Sequence, residues 1–294
     1  MASPRVQGKA ISSIALSLVA FLVLTISLAG CGAGSDILQP PVAIEITTDK
    51  PGVTYQDPAT GQRSGFDVSM YQWIATFADE PFTPLVVDLT VRDREDELVR
   101  GSAEGGVDLV IASYTITSQR DTEVDFAGPY LETRQGVMVR ADDPRRITNP
   151  SQLSGLSVCA QSNSTSVNEL RQIPGAIVVE EIGLLQCVRS LRAGNVDAVS
   201  TDQVLLYGYA RDEPGLRIEN GVTFGAIQQY GIGLPPEDGT ESCEILTHYL
   251  DEFMSSGAWD TAFRTNFGDG LRREDFRPSE LRPCIADTER DTPT

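Results

Sequence analysis

Residues 65–78 read Gly-Phe-Asp-Val-Ser-Met-Tyr-Gln-Trp-Ile-Ala-Thr-Phe-Ala, and this stretch decides the fold. Its apolar residues follow the i, i+3, i+4, i+7 spacing of a helix with one buried face: Tyr71, Ile74, Ala75 and Ala78. Apolar, strand-like runs lie on both sides of it, at 42–47 and at 107–112. The order strand, helix, strand predicts an α/β fold whose sheet is covered on both faces.

The same alternation repeats further along the chain. Strand-like runs at 156–160, 177–179 and 196–200 are separated by helical patterns. Ser166-Val167-Asn168-Glu169 has the form of a capping box, and a second apolar stripe from residue 184 stops at Gly194. Further helical segments follow, with apolar residues at Leu246, Tyr249, Leu250 and Phe253 and then a run over 259–267. The chain therefore predicts two α/β units, each near the usual domain size.

Residues 1–30 form a predicted lipoprotein signal peptide. Arg5 and Lys9 precede the uncharged run 11–29, and the sequence Leu28-Ala29-Gly30-Cys31 is similar to the lipobox of bacterial lipoproteins, in which the cysteine is lipidated. An uncleaved membrane anchor is the alternative, because about 19 residues nearly span a bilayer. Either arrangement places the folded part outside the cytoplasmic membrane. Residues 31–43 are predicted to be a lipidated tether, and residues 276–294 a polar C-terminal tail.

The overall charge excludes one class of function. The chain has 23 Lys and Arg against 42 Asp and Glu, which gives a formal net charge of −19 over 294 residues. Such a surface repels nucleic acid, and no stretch concentrates enough cations to form a basic groove. The hydrophobic fraction of 40% with 22% charged residues is ordinary for a globular protein, so disorder throughout is excluded.

The cysteines predict disulfides. If Cys31 carries lipid, four cysteines remain, an even number that is expected to pair in an oxidising compartment. Sequence alone permits three connectivities. The pairing that keeps each bridge within one compact segment, and that we expect, is Cys159 with Cys187 and Cys243 with Cys284. A zinc site is the rival interpretation, but C-x-x-C spacing is absent and His248 is the only histidine, so we expect no metal and no cofactor.

Gly65-Phe66-Asp67-Val68, with Tyr55-Gln56-Asp57-Pro58 before it and an amphipathic helix after it, resembles the signature region of the family 3 extracellular solute-binding proteins. The likeness continues in unbroken order to about residue 268. Its later motifs are Val107-Asp108-Leu109, Thr115-Ile116-Thr117-Ser118-Gln119-Arg120, Val124-Asp125-Phe126, Tyr130, Asp197-Ala198-Val199-Ser200-Thr201-Asp202 and Gln229-Tyr230-Gly231-Ile232. Members of this family are the polar amino-acid receptors of ABC importers.

The resemblance implies a particular architecture. It predicts a two-lobed periplasmic binding protein fold of type II, in which two crossover hinge strands join the lobes and an amino acid binds between them. Lobe 1 would comprise residues 44–130 and 230–275, and lobe 2 residues 131–229. The positions of Cys159 and Cys187 also resemble a cysteine pair of actinobacterial members.

An α-amino acid carries a carboxylate and an ammonium, so a site that dehydrates it must satisfy both charges. The resemblance, through the position of Arg120 just after Thr115-Ile116-Thr117, implies that Arg120 binds the carboxylate. A guanidinium suits this role because it offers two parallel N–H groups and keeps its charge when buried. The resemblance places Asp202 where the family has the acid that receives the ammonium. It further implies contacts from lobe 1 and from the turn before a helix of lobe 2, at Ser113, Thr115, Ser164 and Thr165. Family members commonly have Gly-Thr-Thr or Gly-Thr-Gly in that turn, where this chain has Asn163-Ser164-Thr165.

The identity of the ligand stays open between amides and acids. Asp49 aligns with an acidic position that contacts the ligand amide in a glutamine receptor of the family, which favours glutamine, asparagine or a basic ligand. Arg92 or Arg94 could instead reach an acidic side chain, which favours glutamate or aspartate. Gly52 stands where the family has a stacking Phe, so large aromatic or aliphatic ligands are disfavoured.

The predicted function is therefore that of a monomeric substrate-binding lipoprotein on the outer face of the cell membrane. It would capture glutamine, glutamate, asparagine or aspartate and deliver it to an ABC permease. A sensory lipoprotein that signals to a membrane partner is one alternative. A lyase or dehydratase is another, since the same fold hosts such enzymes. We expect no catalytic residues, because no Gly-x-Ser-x-Gly or His-rich motif is present.

Overall fold

The computed structural model describes residues 42–77, 83–85, 91, 93–211, 213–236 and 239–284. The predicted signal peptide, most of the predicted tether, Arg92 and the last ten residues lie outside this range. Within it, no helix is both long enough and apolar enough to cross a membrane.

The described residues form twelve strands and seven α-helices. The strands are β1 (Ala43–Glu45), β2 (Asp49–Lys50), β3 (Thr54–Gln56), β4 (Arg63–Ser64), β5 (Thr83–Leu85), β6 (Leu109–Val110), β7 (Asp125–Arg140), β8 (Ser157–Gln161), β9 (Ile177–Glu181), β10 (Ala198–Asp202), β11 (Leu216–Ile218) and β12 (Phe224–Leu234). The helices are α1 (Phe66–Ile74), α2 (Asp93–Arg100), α3 (Thr165–Arg171), α4 (Leu184–Arg192), α5 (Gln203–Ala210), α6 (Gly239–Ser255) and α7 (Ala258–Phe267).

Two long antiparallel strands run through the middle of the main sheet, β7 with 16 residues and β12 with 11. The strand order is β5-β1-β6-β12-β7-β10-β8-β9, and β11 pairs with β7. On one side of β7 and β12 lie the parallel strands β1, β5 and β6, and on the other the parallel strands β8, β9 and β10. This is the α/β type II binding-protein architecture, with two lobes and two crossover strands, as the sequence predicted.

The lobes have recognisable apolar cores. In lobe 1 the ring of Phe66 lies 5.5–6.3 Å from five other aromatic rings, those of Tyr130, Phe253, Trp259, Phe263 and Phe267. In lobe 2 a separate cluster packs the buried residues of β8 and β10 against α3: Val158, Ala160, Val167, Leu170 and Ala198. Burial of such side chains stabilises each lobe by about 1.5–3 kcal/mol per residue.

The signature Gly65-Phe66-Asp67 connects the aromatic core of lobe 1 to the backbone at Ser113. Gly65 has φ 129°, and a Cβ atom there would overlap the carbonyl oxygen of Val53, so only glycine fits. Phe66 begins α1 and occupies the centre of the aromatic core. The carboxylate of Asp67 accepts a 2.9 Å hydrogen bond from the backbone N–H of Ser113. The motif therefore holds α1 close to its neighbouring strand and fixes the backbone at residue 113.

Some local predictions were wrong. The capping box at 166–169 is absent: Ser164 is the N-cap residue of α3, and Glu169 instead accepts a hydrogen bond from the backbone N–H of Ala226 on β12. The α-helix predicted around Tyr71, Ile74 and Ala75 ends at Ile74 and continues as a 3-10 turn to Phe77, whereas Ala78 lies outside the described residues. The capping box fails because α3 begins two residues earlier than the motif implies. With Ser164 as the N-cap, Glu169 is not the third helical residue and cannot bond back to the N-cap.

Both expected disulfides are present. Cys159 on β8 bonds to Cys187 on α4, and Cys243 on α6 bonds to Cys284, with Cα–Cα distances of 5.4 and 5.9 Å. Each closes a loop that contributes about 3–4 kcal/mol in the chain-entropy model. The segment that leads to Cys284 packs on the body of the protein, since Phe276 is 3% exposed.

Candidate functional site

A polar cavity of about 30 Å³ lies between the lobes. Six of the seven predicted ligand-binding residues line it: Ser113, Thr115, Arg120, Ser164, Thr165 and Asp202. Lys50, Val91, Arg94, Gln161, Ser166, Thr201 and Leu205 complete its wall. A volume of 30 Å³ holds about two water molecules, which is less than an amino acid needs.

The guanidinium of Arg120 is held by groups of its own lobe. Its Nη1 donates to the carbonyl oxygen of Thr115 at 2.7 Å, and its Nε donates to Oε1 of Glu95 at 3.1 Å. The group also lies 4.7 Å from the ring centroid of Tyr114. Burial lowers the pKa of Arg120, but an arginine remains charged at any physiological pH. Arg120 therefore presents a fixed cation to the cavity.

Asp202 is the acidic residue that lobe 2 contributes to the wall of the cavity. It ends β10 and occupies the N-cap position of α5, although its side chain makes no capping hydrogen bond. Its two oxygens accept hydrogen bonds from Nε2 of Gln135 at 2.8 Å and from the hydroxyl of Tyr230 at 2.5 Å. Both of these donors are uncharged. Burial raises the pKa of Asp202 to about 6, so the carboxylate is ionised at neutral pH and can bind an ammonium group.

Ser113 has an unusual backbone. It adopts φ 50°, in the left-handed region that non-glycine residues seldom occupy. Its N–H is bound by Asp67, and its hydroxyl accepts a 2.9 Å hydrogen bond from Nζ of Lys50. Strained residues of this kind cluster at binding sites, where the surrounding structure holds them in place. Ser113 and Lys50 thus form one rigid unit in the wall of lobe 1.

The turn before α3 forms the opposite wall. Asn163 adopts φ 58°, a left-handed backbone conformation that Asn tolerates better than most residues. Asn can therefore form this turn here, where family members commonly have Gly. The hydroxyl of Ser164 donates to the carbonyl oxygen of Gln161 at 2.6 Å. Thr165 and Ser166 are the first residues of α3, where backbone N–H groups have no acceptor within the helix. Such groups can hydrogen-bond the carboxylate of a ligand.

Lys50 and Arg94 extend the positive wall of lobe 1. Lys50 is 3% exposed, and burial, helped by the charge of Arg94, lowers its pKa to about 8. Arg94 on α2 is 2% exposed, with its Nε 3.5 Å from Oε1 of Glu45. Its Nε and Nη2 have no hydrogen-bond partner among the described residues. The sequence offered Arg94 only as one of two alternatives, with Arg92, and did not single out Lys50.

Asp49 is the predicted residue that does not line the cavity. It precedes Lys50 in β2, and successive side chains of a strand point to opposite sides. Its carboxylate lies near Gly183, the residue before α4, and its carbonyl oxygen accepts a hydrogen bond from the hydroxyl of Tyr209. Lys50 therefore faces the cavity. No signal in the sequence could have decided this, because a two-residue strand shows no alternation.

A larger chamber of about 600 Å³ adjoins the cavity. The two share Val91, Arg120, Ser164 and Thr165 in their walls. The remaining wall of the chamber is mostly polar and carries Glu95, Asp96, Thr117, Gln119, Glu123, Asn163, Val167, Asn168, Arg171 and Glu180. It forms the mouth of the cleft between the lobes.

Two α/β lobes with a charged cavity between them define a protein that encloses a small polar solute. The sequence pattern of the bacterial extracellular solute-binding proteins, family 3, matches residues 42–269, and the chain belongs to that family. It is accordingly an extracellular binding protein and not an enzyme.

Several characterised relatives align over most of the chain. Glutamate-binding protein GluB of Corynebacterium efficiens is 31% identical over 273 residues, covering 87% of this chain and 91% of that protein. The glutamine-binding protein of Geobacillus stearothermophilus is 29% identical over 262 residues, covering 80% of this chain and 96% of that protein. A crystal structure of an ArgBP mutant from T. maritima superposes with a TM-score of 0.68 at 28% identity, covering 78% of this chain and 95% of that one.

Proposed function

We propose that this protein binds an acidic L-amino acid, glutamate or aspartate, and delivers it to an ABC permease. The observation that carries the proposal is the charge of the cavity. Lys50, Arg94 and Arg120 line it from lobe 1, and Asp202 is the only acid among the described residues of its wall. An acidic amino acid carries two carboxylates and one ammonium, so its charges match this wall better than those of a neutral amino acid.

Each charged part of the ligand has a partner. The α-carboxylate would lie between Arg120 and the first turn of α3, and the ammonium would bind Asp202 with Ser113 and Thr115 close by. The side-chain carboxylate would then lie against Arg94 and Lys50. Contacts to both lobes would stabilise the closed form, because a ligand shifts the population toward the conformation that it binds best.

The chemistry of Arg94 and Lys50 discriminates against amides. Guanidinium and ammonium groups only donate hydrogen bonds. Nε of Arg94 faces Glu45, whereas its Nη2 has no hydrogen-bond partner among the described residues and requires an acceptor. A carboxylate offers two accepting oxygens, whereas an amide offers one oxygen and an NH₂ group that would face donors. We expect at least about tenfold tighter binding of glutamate or aspartate than of the matching amide, which corresponds to about 1.4 kcal/mol.

The relatives support a polar amino acid without deciding which one. GluB is named for glutamate and the Geobacillus protein for glutamine. Arg94 and Lys50 in the wall favour the acid. Asp49, the residue that favoured an amide, does not line the cavity, which also supports the acid.

Isothermal titration calorimetry of the purified protein tests the proposal. Glutamate, aspartate, glutamine, asparagine and arginine would be titrated under the same conditions. Glutamate or aspartate should bind most tightly. Preference for an amide or for arginine, or binding of none of the five, would refute the assignment.

We further propose that lipid on Cys31 anchors the protein to the outer face of the membrane. The support is the Leu28-Ala29-Gly30-Cys31 motif. In cells that express the protein, the wild type should incorporate labelled palmitate and sediment with membranes. The Cys31→Ala variant should not incorporate the label, although its uncleaved apolar run 11–29 could still hold it in the membrane. Equal labelling of both forms would contradict the anchor.

A further inference from the structure

Glu45 is a buried carboxylate, and none of the proposed ligand contacts involves it. It is the last residue of β1, between Ile44 and Ile46, and its side chain is fully buried. Neither of its oxygens has a hydrogen-bond partner among the described residues. A buried carboxylate without hydrogen bonds is strongly unfavourable unless nearby cations or a proton compensate its charge.

The charged groups that act on Glu45 connect it to the cavity. Arg94 on α2 forms an ion pair with it at 3.5 Å, and Lys50 on β2 also attracts it. Glu97, also on α2, repels it. Both cations line the cavity, whereas Glu45 does not. Glu45 therefore supplies the counter-charge behind the two cations that would receive the side-chain carboxylate of a ligand.

An acidic ligand would bring a second carboxylate to the same guanidinium. Two carboxylates that share one site do not ionise independently, and the presence of one raises the pKa of the other. Burial already raises the pKa of Glu45 to about 7, against the opposing charges of Arg94 and Lys50. A small further change would protonate it at neutral pH. An amide ligand brings no second negative charge and would leave Glu45 as it is.

Building on the proposed function, we propose that Glu45 couples the binding of an acidic amino acid to the uptake of a proton. When the ligand carboxylate binds Arg94, the carboxylate of Glu45 accepts a proton from solvent. Its ion pair with Arg94 is then lost, and the guanidinium pairs with the ligand. Glutamine binds without this step. Glu45 is thus a positioning residue that makes the preference for acids over amides depend on pH.

Calorimetry in buffers of different ionisation enthalpy counts the protons taken up on binding. Near pH 7.5, glutamate should take up more than about half a proton beyond the value for glutamine. The ratio of glutamate to glutamine affinity should fall about threefold between about pH 6.5 and 7.5. Protons released by Asp202 on binding the ammonium are common to both ligands and cancel in this comparison.

The variant Glu45→Gln keeps the size of the side chain and removes the titrating group. It should abolish the extra proton uptake and the pH dependence, and should tighten glutamate binding severalfold at about pH 7.5. Glu104→Gln makes the same chemical change at an exposed residue outside the cavity wall that does not act on Glu45, and should retain both effects. If Glu45→Gln does not fold, Lys50→Arg decides the question, because it keeps the positive charge but removes the other group that could take up the proton, and it should retain the extra uptake.

Each of the following results would overturn the inference. Equal proton uptake with both ligands in the wild type would exclude coupling. If the Glu45→Gln variant still took up the additional proton on binding glutamate, the proton would be assigned to Lys50. Preference for glutamate without extra uptake would overturn the role of Glu45 alone, whereas absence of that preference would overturn the proposed function together with it.

Discussion

At the scale of single residues, the residues that line the cavity are held in place by hydrogen bonds to neighbouring groups. Arg120 is fixed by Thr115 and Glu95, and Ser113 is fixed by Asp67. Such fixed groups need little rearrangement to bind a ligand, so less of the interaction energy is lost to ordering.

Arg94 is the residue on which the choice of ligand depends. Arg94→Gln removes the cation that would receive the side-chain carboxylate, so glutamate affinity should fall at least about tenfold while glutamine affinity changes much less. Arg100→Gln is the matched control, because Arg100 lies on the same helix and pairs with Glu97 at the surface. Calorimetry on both variants measures the effect. An equal loss for both ligands in Arg94→Gln would contradict its role in specificity.

Asp202 should make ligand binding weaken in acid. Burial raises its pKa to about 6, so lowering the pH through 6 protonates it and removes the partner of the ammonium. The stabilisation of the protein by glutamine, whose binding does not involve Glu45, should therefore shrink between about pH 7 and 5. Asp202→Asn should bind at least about tenfold more weakly at neutral pH and lose this dependence. Thermal-shift measurements across this range test both statements, and an unchanged affinity of Asp202→Asn would refute the contact.

The free protein has the opposite dependence at Asp202. A carboxyl group whose pKa is higher in the folded than in the unfolded state stabilises the fold below its unfolded pKa, and this stabilisation is lost as pH rises through the folded pKa. For Asp202 the interval runs from the ordinary value of 3.8 to about 6. Its ionised form is thus maintained for binding at a cost in stability.

At the scale of elements, Gly65 decides whether α1 can pack. Gly65→Ala should destabilise the protein by more than about 2 kcal/mol, because the methyl group overlaps the carbonyl oxygen of Val53 and the backbone has φ 129°. Gly101→Ala is the control, since Gly101 has φ 66° with open space around it and should cost about 1 kcal/mol. Urea unfolding compares them. Equal losses would show that overlap with Val53 contributes nothing.

The alternation of strands and helices predicted most of the elements. The patterns at 156–160, 177–179 and 196–200 correspond to β8, β9 and β10, and the stripe that stops at Gly194 corresponds to α4. Patterns that depend on distant partners failed. The run 107–112 is fully buried, yet only Leu109–Val110 is a strand, and Glu169 binds β12 instead of capping α3.

The candidate site was predictable where the resemblance to the family supplied positions. Arg120, Asp202, Ser113, Thr115, Ser164 and Thr165 all line the cavity. Lys50 was not predictable, because the orientation of a two-residue strand is set by the hairpin around it. The resemblance named its neighbour in β2, Asp49, which does not line the cavity.

At the scale of the whole molecule, the cavity must open to admit a ligand and close around it. It holds only about 30 Å³, and its walls belong to lobes that are joined by β7 and β12. We therefore expect a hinge motion about these two strands. Small-angle X-ray scattering should show a smaller radius of gyration with saturating glutamate than without it. Identical profiles would count against closure by the ligand.

A crystal structure of the complex with glutamate tests the central claim most directly. The account predicts that the side-chain carboxylate lies within hydrogen-bond distance of Arg94 and Lys50, with the ammonium on Asp202 and the α-carboxylate on Arg120. A bound glutamate whose side chain points away from Arg94 and Lys50, or whose ammonium does not contact Asp202, would contradict it.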